Sequence, residues 1–274
     1  MAYEHPGAGA LDYLPCRYGQ SKLLFRGPRR SLEGTFCAFL GGTETYGKFV
    51  ERPFPALLES DMGVPMVNLG YQNAGVDLYL NEPVLLEACA QAKVTVIQLP
   101  GAQNMTNRFY SVHPRRNDRF LHAAQILQTI YREVDFTDFH FTRHMLKTLK
   151  TLSPEKYVLV ERELREAWVA RMRQLLQQIE GPTVLLWLGN CQAEGAAQDS
   201  LGPDPLFLDR HMVEAIAPFA TELVEVQPSA SARAYGTIGM ACAEMELPAA
   251  AHLPGPMIHA EVAAALEPAI SRCL

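Results

Sequence analysis

Apolar residues fall along this chain in short, largely unbroken runs, each closed by glycine or proline. Phe36–Leu40 runs into Gly41-Gly42, Val64–Leu69 into Gly70, Val94–Leu99 into Pro100-Gly101, and Thr183–Leu188 into Gly189. Glu222–Val226 is a further candidate. Runs of this length that do not alternate with polar residues predict strands covered on both faces. Helical spacing fills the intervals. Phe54–Glu59 is short. Glu82–Ala92 follows Asn81 as a cap, with Pro83 in its first turn. Asp118–Arg132 places Phe120, Ala124, Leu127 and Tyr131 on one side. Pro154–Ile179 carries a stripe of Leu164, Trp168, Met172, Leu175 and Ile179 opposite Glu161, Arg165 and Arg173. Met212–Phe219 and Ile258–Ile270 complete the set.

Strands alternating with helices predict a three-layer α/β/α sandwich with about five parallel strands in a flavodoxin-like topology, joined by right-handed crossovers. The chain of 274 residues reads as one such domain over 1–274. The segment 106–153 shows no strand pattern and is expected to be a helical insertion forming a lid or side wall.

Composition narrows the partners. Apolar residues make up 48% and charged residues 20%, an ordinary globular balance, and the net charge of −6 argues against nucleic acid. The local basic clusters, Arg26-Arg29-Arg30 and Arg108-Arg115-Arg116-Arg119, read as solvated surface. No basic-then-apolar leader opens the chain, and no apolar run approaches the ~20 residues of a membrane span. The expectation is a cytoplasmic protein without membrane insertion, with display on a particle assembled in the cytoplasm as its variant. The six cysteines form no C-x-x-C pair and read as reduced thiols rather than a zinc site or disulfide frame. His140 and His144, four apart with Arg143 between them, lack the glutamate of a zinc-protease motif and read as structural or ligand-contact residues. No metal and no cofactor is expected.

Ligands of open parallel sheets bind beyond the carboxyl ends of the strands. Three successive strands here end in Gly41-Gly42-Thr43-Glu44-Thr45-Tyr46-Gly47, Asn68-Leu69-Gly70 and Gly101-Ala102-Gln103-Asn104. The Thr43 hydroxyl, the Gly42 and Gly70 amides and the Gln103 or Asn104 side chain could converge on one oxyanion, as acyl transfer requires. The alternative for Thr43 is a helix-capping hydroxyl.

Order and spacing of these blocks resemble the SGNH/GDSL hydrolase superfamily. Its Gly-Asp-Ser resembles Gly41-Gly42-Thr43, with Thr45 and Gly47 following in step. Its second-strand glycine matches Gly70, its Gly-x-Asn-Asp resembles Gly101-Ala102-Gln103-Asn104, and its histidine before the last helix matches His252, with His259 close by. The chain also looks like a bacterial family carrying Phe39-Leu-Gly-Gly-Thr-Glu-Thr-Tyr-Gly47 and Asn107-Arg-Phe-Tyr-Ser-Val-His-Pro-Arg-Arg-Asn-Asp118, a match that brings no activity with it.

The resemblance implies Thr43 as nucleophile and His252 or His259 as base. Tyr110, His113, Arg115 and Arg116 are expected to line the site and to favour an anionic or hydroxyl-rich ligand. The family's acid three residues before the histidine is Ala249 here, and Glu244 or Glu246 is the candidate substitute. His259 also fits a packed, hydrogen-bonded histidine of the last helix. Two functions follow: an esterase or acyltransferase acting on an acylated saccharide or similar polar ester, or a catalytically reduced glycan-binding module. The second could serve as a receptor-binding or spike component of a larger, phage-like assembly. Threonine at the nucleophile position and the missing acid favour the second.

Overall fold

The computed structural model describes residues 11–192 and 199–274. In chain order the elements are β1 (Cys37–Leu40), α1 (Thr43–Tyr46), α2 (Phe54–Met62), β2 (Met66–Asn68), α3 (Val76–Leu80), α4 (Pro83–Gln91) and β3 (Val94–Gln98). A hairpin of β4 (Tyr110–His113) and β5 (Arg116–Ala123) follows, then α5 (Gln125–Ile130), α6 (Thr142–Leu152) and α7 (Pro154–Gln178). The chain closes with β6 (Thr183–Leu188), α8 (Arg210–Ile216), β7 (Glu222–Val226), α9 (Ala230–Tyr235), α10 (Leu247–Ala250) and α11 (Pro256–Cys273).

Five strands form one parallel sheet in the order β2-β1-β3-β6-β7. Alternate residues of β1 serve two cores. Cys37 and Phe39 pack with Phe54 and Leu58 of α2 and Ile258, Val262 and Leu266 of α11. Ala38 and Leu40 belong to the opposite core, with Leu78 of α3, Leu85 of α4, Leu164 and Trp168 of α7 and Val213 of α8. Burial on both faces explains the unbroken apolar runs. The architecture is the three-layer α/β/α sandwich expected from the sequence. Strand order reverses around β1, with β2 on one side and β3 on the other, and this switch point sets where a crevice opens.

The segment 106–153 departs from expectation, because it opens with an antiparallel hairpin and not with a helix. Arg116–Ala123 is a strand, and only Gln125–Ile130 of the helix predicted over Asp118–Arg132 forms. The physical reason is Asn117, which is fully buried. Its Oδ1 accepts from the amides of Gly75 (2.9 Å) and Leu78 (3.1 Å), supplying the first turn of α3 with acceptors its own N-cap lacks. Its Nδ2 donates to the carbonyls of His113 (3.1 Å) and Pro114 (3.3 Å), closing the hairpin turn. Asn81 ends α3 rather than capping α4, whose N-cap is Glu82.

Candidate functional site

A cavity of about 590 Å³ lies over the switch point. Gly42, Thr43 and Glu44 reach it from the end of β1, Gln98 to Asn104 from β3, and Leu188 to Gln192 from β6. Asn73 enters from the loop after β2, Arg143 and Lys147 from α6, Asp199 and Asp204 from the loop before α8, and His252 from the loop before α11.

Its base is closed by Gln98, the polar last residue of an otherwise apolar strand, only 6% exposed. The Oε1 of Gln98 accepts from the Gly42 amide (3.0 Å) and the Thr45 hydroxyl (2.9 Å), and its Nε2 donates to Glu44 Oε2 (3.2 Å). The glycine at 41 is required here, since a Cβ would come within 2.1 Å of Thr45 Oγ1 and 2.7 Å of Gln98 Oε1. Loss of water around Glu44 pushes its carboxyl above the ordinary range, and the charge of Asp204 adds to this. Cys191 lies beside the same acids. Burial first, then the charges of Glu44 and Asp204, raises its thiol well above the ordinary range.

Thr43 is the first residue of α1, and Gly42 holds the cap position, so its hydroxyl is free of capping duty. It accepts from the Asn73 amide at 3.0 Å and lies 3.4 Å from Asn73 Oδ1. Asn73 adopts a left-handed backbone, φ 56°, and donates from Nδ2 to Asp118 at 3.3 Å. Asn104 donates to the Asn73 carbonyl (3.2 Å) and accepts from the Thr142 hydroxyl (2.8 Å). Gln103 also lines the cavity, and its buried Oε1 has no hydrogen-bond partner among the described residues.

Ions form the opposite wall. Arg143 bridges Asp199 (2.7 Å) and Asp204 (2.8 Å), and Lys147 reaches Asp199 at 2.9 Å. Burial alone would raise the Asp199 carboxyl. The Leu201 amide, Lys147 and Arg143 outweigh it and hold the pKa at about 2.

The two candidate bases separate. His252 is exposed at the cavity edge, with Nδ1 3.1 Å from Gln192 Nε2. An amide donor there leaves the ring proton on Nε2, and no carboxylate among the described residues orients the ring. Neither Glu244 nor Glu246 lines the cavity, and Glu246 instead accepts from the Ala243 amide at 3.1 Å. His259 is 1% exposed, stacked on Phe54 with ring centres 5.7 Å apart. Its Nδ1 accepts the Phe54 amide at 3.1 Å, one of the free donors at the start of α2. Burial, then the nearby Arg26 charge, lowers its pKa to about 3, so it is a neutral packing residue and not a base.

Several expected site residues lie elsewhere. The Gly70 amide donates to Asn68 Oδ1 at 2.9 Å, and a Cβ there would lie 2.5 Å from the Tyr46 nitrogen, so Gly70 serves close packing against α1. Tyr110 is buried and donates to the Gln103 carbonyl at 2.6 Å. His113 turns back to accept the Arg115 amide at 3.1 Å, and neither residue lines the cavity. Arg116 lines a neighbouring cavity. Tyr110 and His113 are held by hydrogen bonds within and beside the hairpin, which sequence proximity to Gly101 does not convey. Arg143 lines the cavity, whereas His144 is exposed with its edge on Phe139. Glu44, Asn73, Gln98, Gln192, Asp199 and Asp204 were not singled out from the sequence. Of these, Gln98 alone left a sign, a glutamine ending a buried apolar run.

The protein is thus a doubly wound α/β protein with a mixed-charge cleft over its switch point, a hydroxyl at the end of its first strand and a histidine before its last helix. The chain belongs to the family described as Domain of unknown function (DUF6473), whose model matches residues 1–274. No functionally curated protein matches it in sequence. Among solved structures it is similar to a carbohydrate esterase family 2 enzyme with a carbohydrate-binding domain from Corynascus thermopiles (Myceliophthora fergusii), at 11% identity over 90% of this chain and 69% of that one, TM-score 0.46. It is similar to a catalytic mutant of Axe2, an acetylxylan esterase from Geobacillus stearothermophilus, at 14% identity over 85% and 92%, TM-score 0.43. It is also similar to an extracellular lipase from Streptomyces rimosus, at 11% identity over 88% and 100%, TM-score 0.46. Likeness at this level carries no activity across to this chain. No helix among the described residues is long and apolar enough to cross a membrane.

Proposed function

We propose that this protein is a saccharide-binding module on an SGNH-like scaffold whose ester-hydrolysing machinery is reduced. One observation carries the reading: the Thr43 hydroxyl is engaged by Asn73, and no imidazole is among its hydrogen-bond partners. A hydroxyl nucleophile needs a base within hydrogen-bond reach. The oxyanion donors fare no better, since Gln98 takes the Gly42 amide and Asn68 the Gly70 amide. What remains is a roomy cleft mixing donors and acceptors, which suits hydroxyl groups that do both.

The test pairs titration calorimetry against a panel of neutral and acidic polysaccharides with an acetyl-ester panel. Saturable saccharide binding is expected, with ester turnover at background for wild type and Thr43→Ala alike. Thr43 and His252 share one cavity, which keeps hydrolysis as the second reading. Turnover abolished by Thr43→Ala and retained by Thr43→Ser would establish an esterase and overturn the binding-only reading.

A further inference from the structure

The cleft does not end at its own rim. A second cavity of about 510 Å³ is lined by Tyr13, Leu24, Tyr46, Tyr71 and Arg116, and a third of about 480 Å³ lies between Asn104, Phe141 and Lys147. Asn73 lines all three, and Asp118 lines the second and third. Arg119 lines the second, and its guanidinium lies 4.0 Å over the Phe141 ring of the third. These shared walls set the three hollows side by side around Asn73.

The second cavity has its own chemistry. The Tyr13 and Tyr46 rings are 5.2 Å apart, and Tyr71 joins them on the wall. Its two acids are already occupied: Asp12 accepts from the Leu14 amide at 2.8 Å and Asp118 from Asn73 at 3.3 Å. Burial also pushes the Asp118 carboxyl up, against the opposing charges of Arg119 and Arg116. Arg116 is exposed and makes no ion pair among the described residues. Aromatic faces pack on the apolar faces of sugars, and a guanidinium pairs with carboxylate in a two-point geometry.

We propose that the tyrosine-lined cavity is a distal subsite for a uronic-acid unit of an extended saccharide whose other units run past Asn73 into the first cavity. This rests on the saccharide-binding reading and adds chain length and acidity to it. Units of one chain held in successive subsites act at high effective concentration, so affinity should grow with length.

The experiment titrates oligogalacturonides from the monomer upward, and neutral xylo-oligosaccharides of equal length, into the full chain. Affinity is expected to rise about tenfold or more from monomer to the longest acidic oligomer. Leu24→Trp, which fills the distal cavity with an indole, should bring the longer acidic oligomers down to the affinity of the monomer. Arg116→Ala should erase the preference for the acidic series, and a melting curve checks that both variants fold. Binding that ignores length, or a length gain that survives Leu24→Trp, overturns the distal subsite while leaving saccharide binding standing. A neutral series that binds as tightly as the acidic one overturns the uronic-acid assignment. Absence of binding to every oligomer overturns both this inference and the reading beneath it.

Discussion

The buried polar groups and those at the rim of the cavity are held by different physics. Gln98 at its base, and His259 where α11 packs on α2, are buried, neutral, and each satisfies a backbone amide that would otherwise be stranded. At the rim, Arg143, Lys147, Asp199 and Asp204 are ions in contact with water, paired but partly screened. A lost buried partner leaves its mate without either protein or water. A lost rim partner leaves its mate hydrated. The base should therefore govern stability, and the rim should govern what the cleft can hold.

Three measurements strain this contrast, in falling order of size. Gln98→Leu strands the Gly42 amide, the Thr45 hydroxyl and one side of Glu44. Urea unfolding should show a loss of about 3 kcal/mol, the cost of two or more buried groups left unpaired. A loss as small as that of a surface change would mean the base relaxes as easily as the rim.

The second measurement is pH dependence. His259 titrates at about 3 in the folded chain and near 6.5 when unfolded, so the unfolded state takes up the proton first as pH falls. Its contribution is whole above pH 6.5 and is lost progressively towards pH 3. Between pH 8 and pH 5 the expected loss is about 2 kcal/mol, and His259→Asn, which keeps an acceptor for the Phe54 amide, should flatten that slope. Asp199 acts only further down. Its folded pKa of about 2 contributes stability above about pH 3.8, lost as pH falls towards 2, so the two windows separate. An unchanged slope in His259→Asn would move the titration to another group.

The third is Arg143→Ala at the rim. Lys147 remains on Asp199, and both acids keep access to water, so the expected loss is about 1 kcal/mol and shrinks at high salt. A loss larger than that of Gln98→Leu would invert the contrast between base and rim.

The unequal legibility of the molecule in its sequence follows the same divide. Strands buried on both faces leave continuous apolar runs, so all five sheet strands were predicted within a residue or two, as was α7. The hairpin was missed because β5 reads Arg-Asn-Asp-Arg-Phe-Leu-His-Ala. Its charged edge faces solvent, and its one decisive contact is a buried asparagine whose four partners lie in α3 and its own turn. At the site, Thr43, Gln103 and Asn104, at strand ends in the sequence, line one cavity with His252, which only the resemblance pointed to. The Gly42 and Gly70 amides were read as open because spacing shows where an amide lies but not which side chain folds back to take it. Gln98 and Asn68 do so here. His259 fits two readings in the sequence, and the six residues between it and His252 carry the chain from the cleft edge into the packing of α11 on α2.

Asn117 links the hairpin to the sheet in a way that bears on how the protein breathes. One side chain holds the first turn of α3 with its oxygen and the tip of the hairpin with its nitrogen. Neither element can detach alone without abandoning the other's hydrogen bonds in a place that water does not reach. Hairpin and helix are thus expected to belong to one cooperative opening unit, although residues 81–109 of the chain lie between them. An opening of the hairpin is consequently expected to release the first turn of α3 and, with it, the Asn73 turn just before that helix.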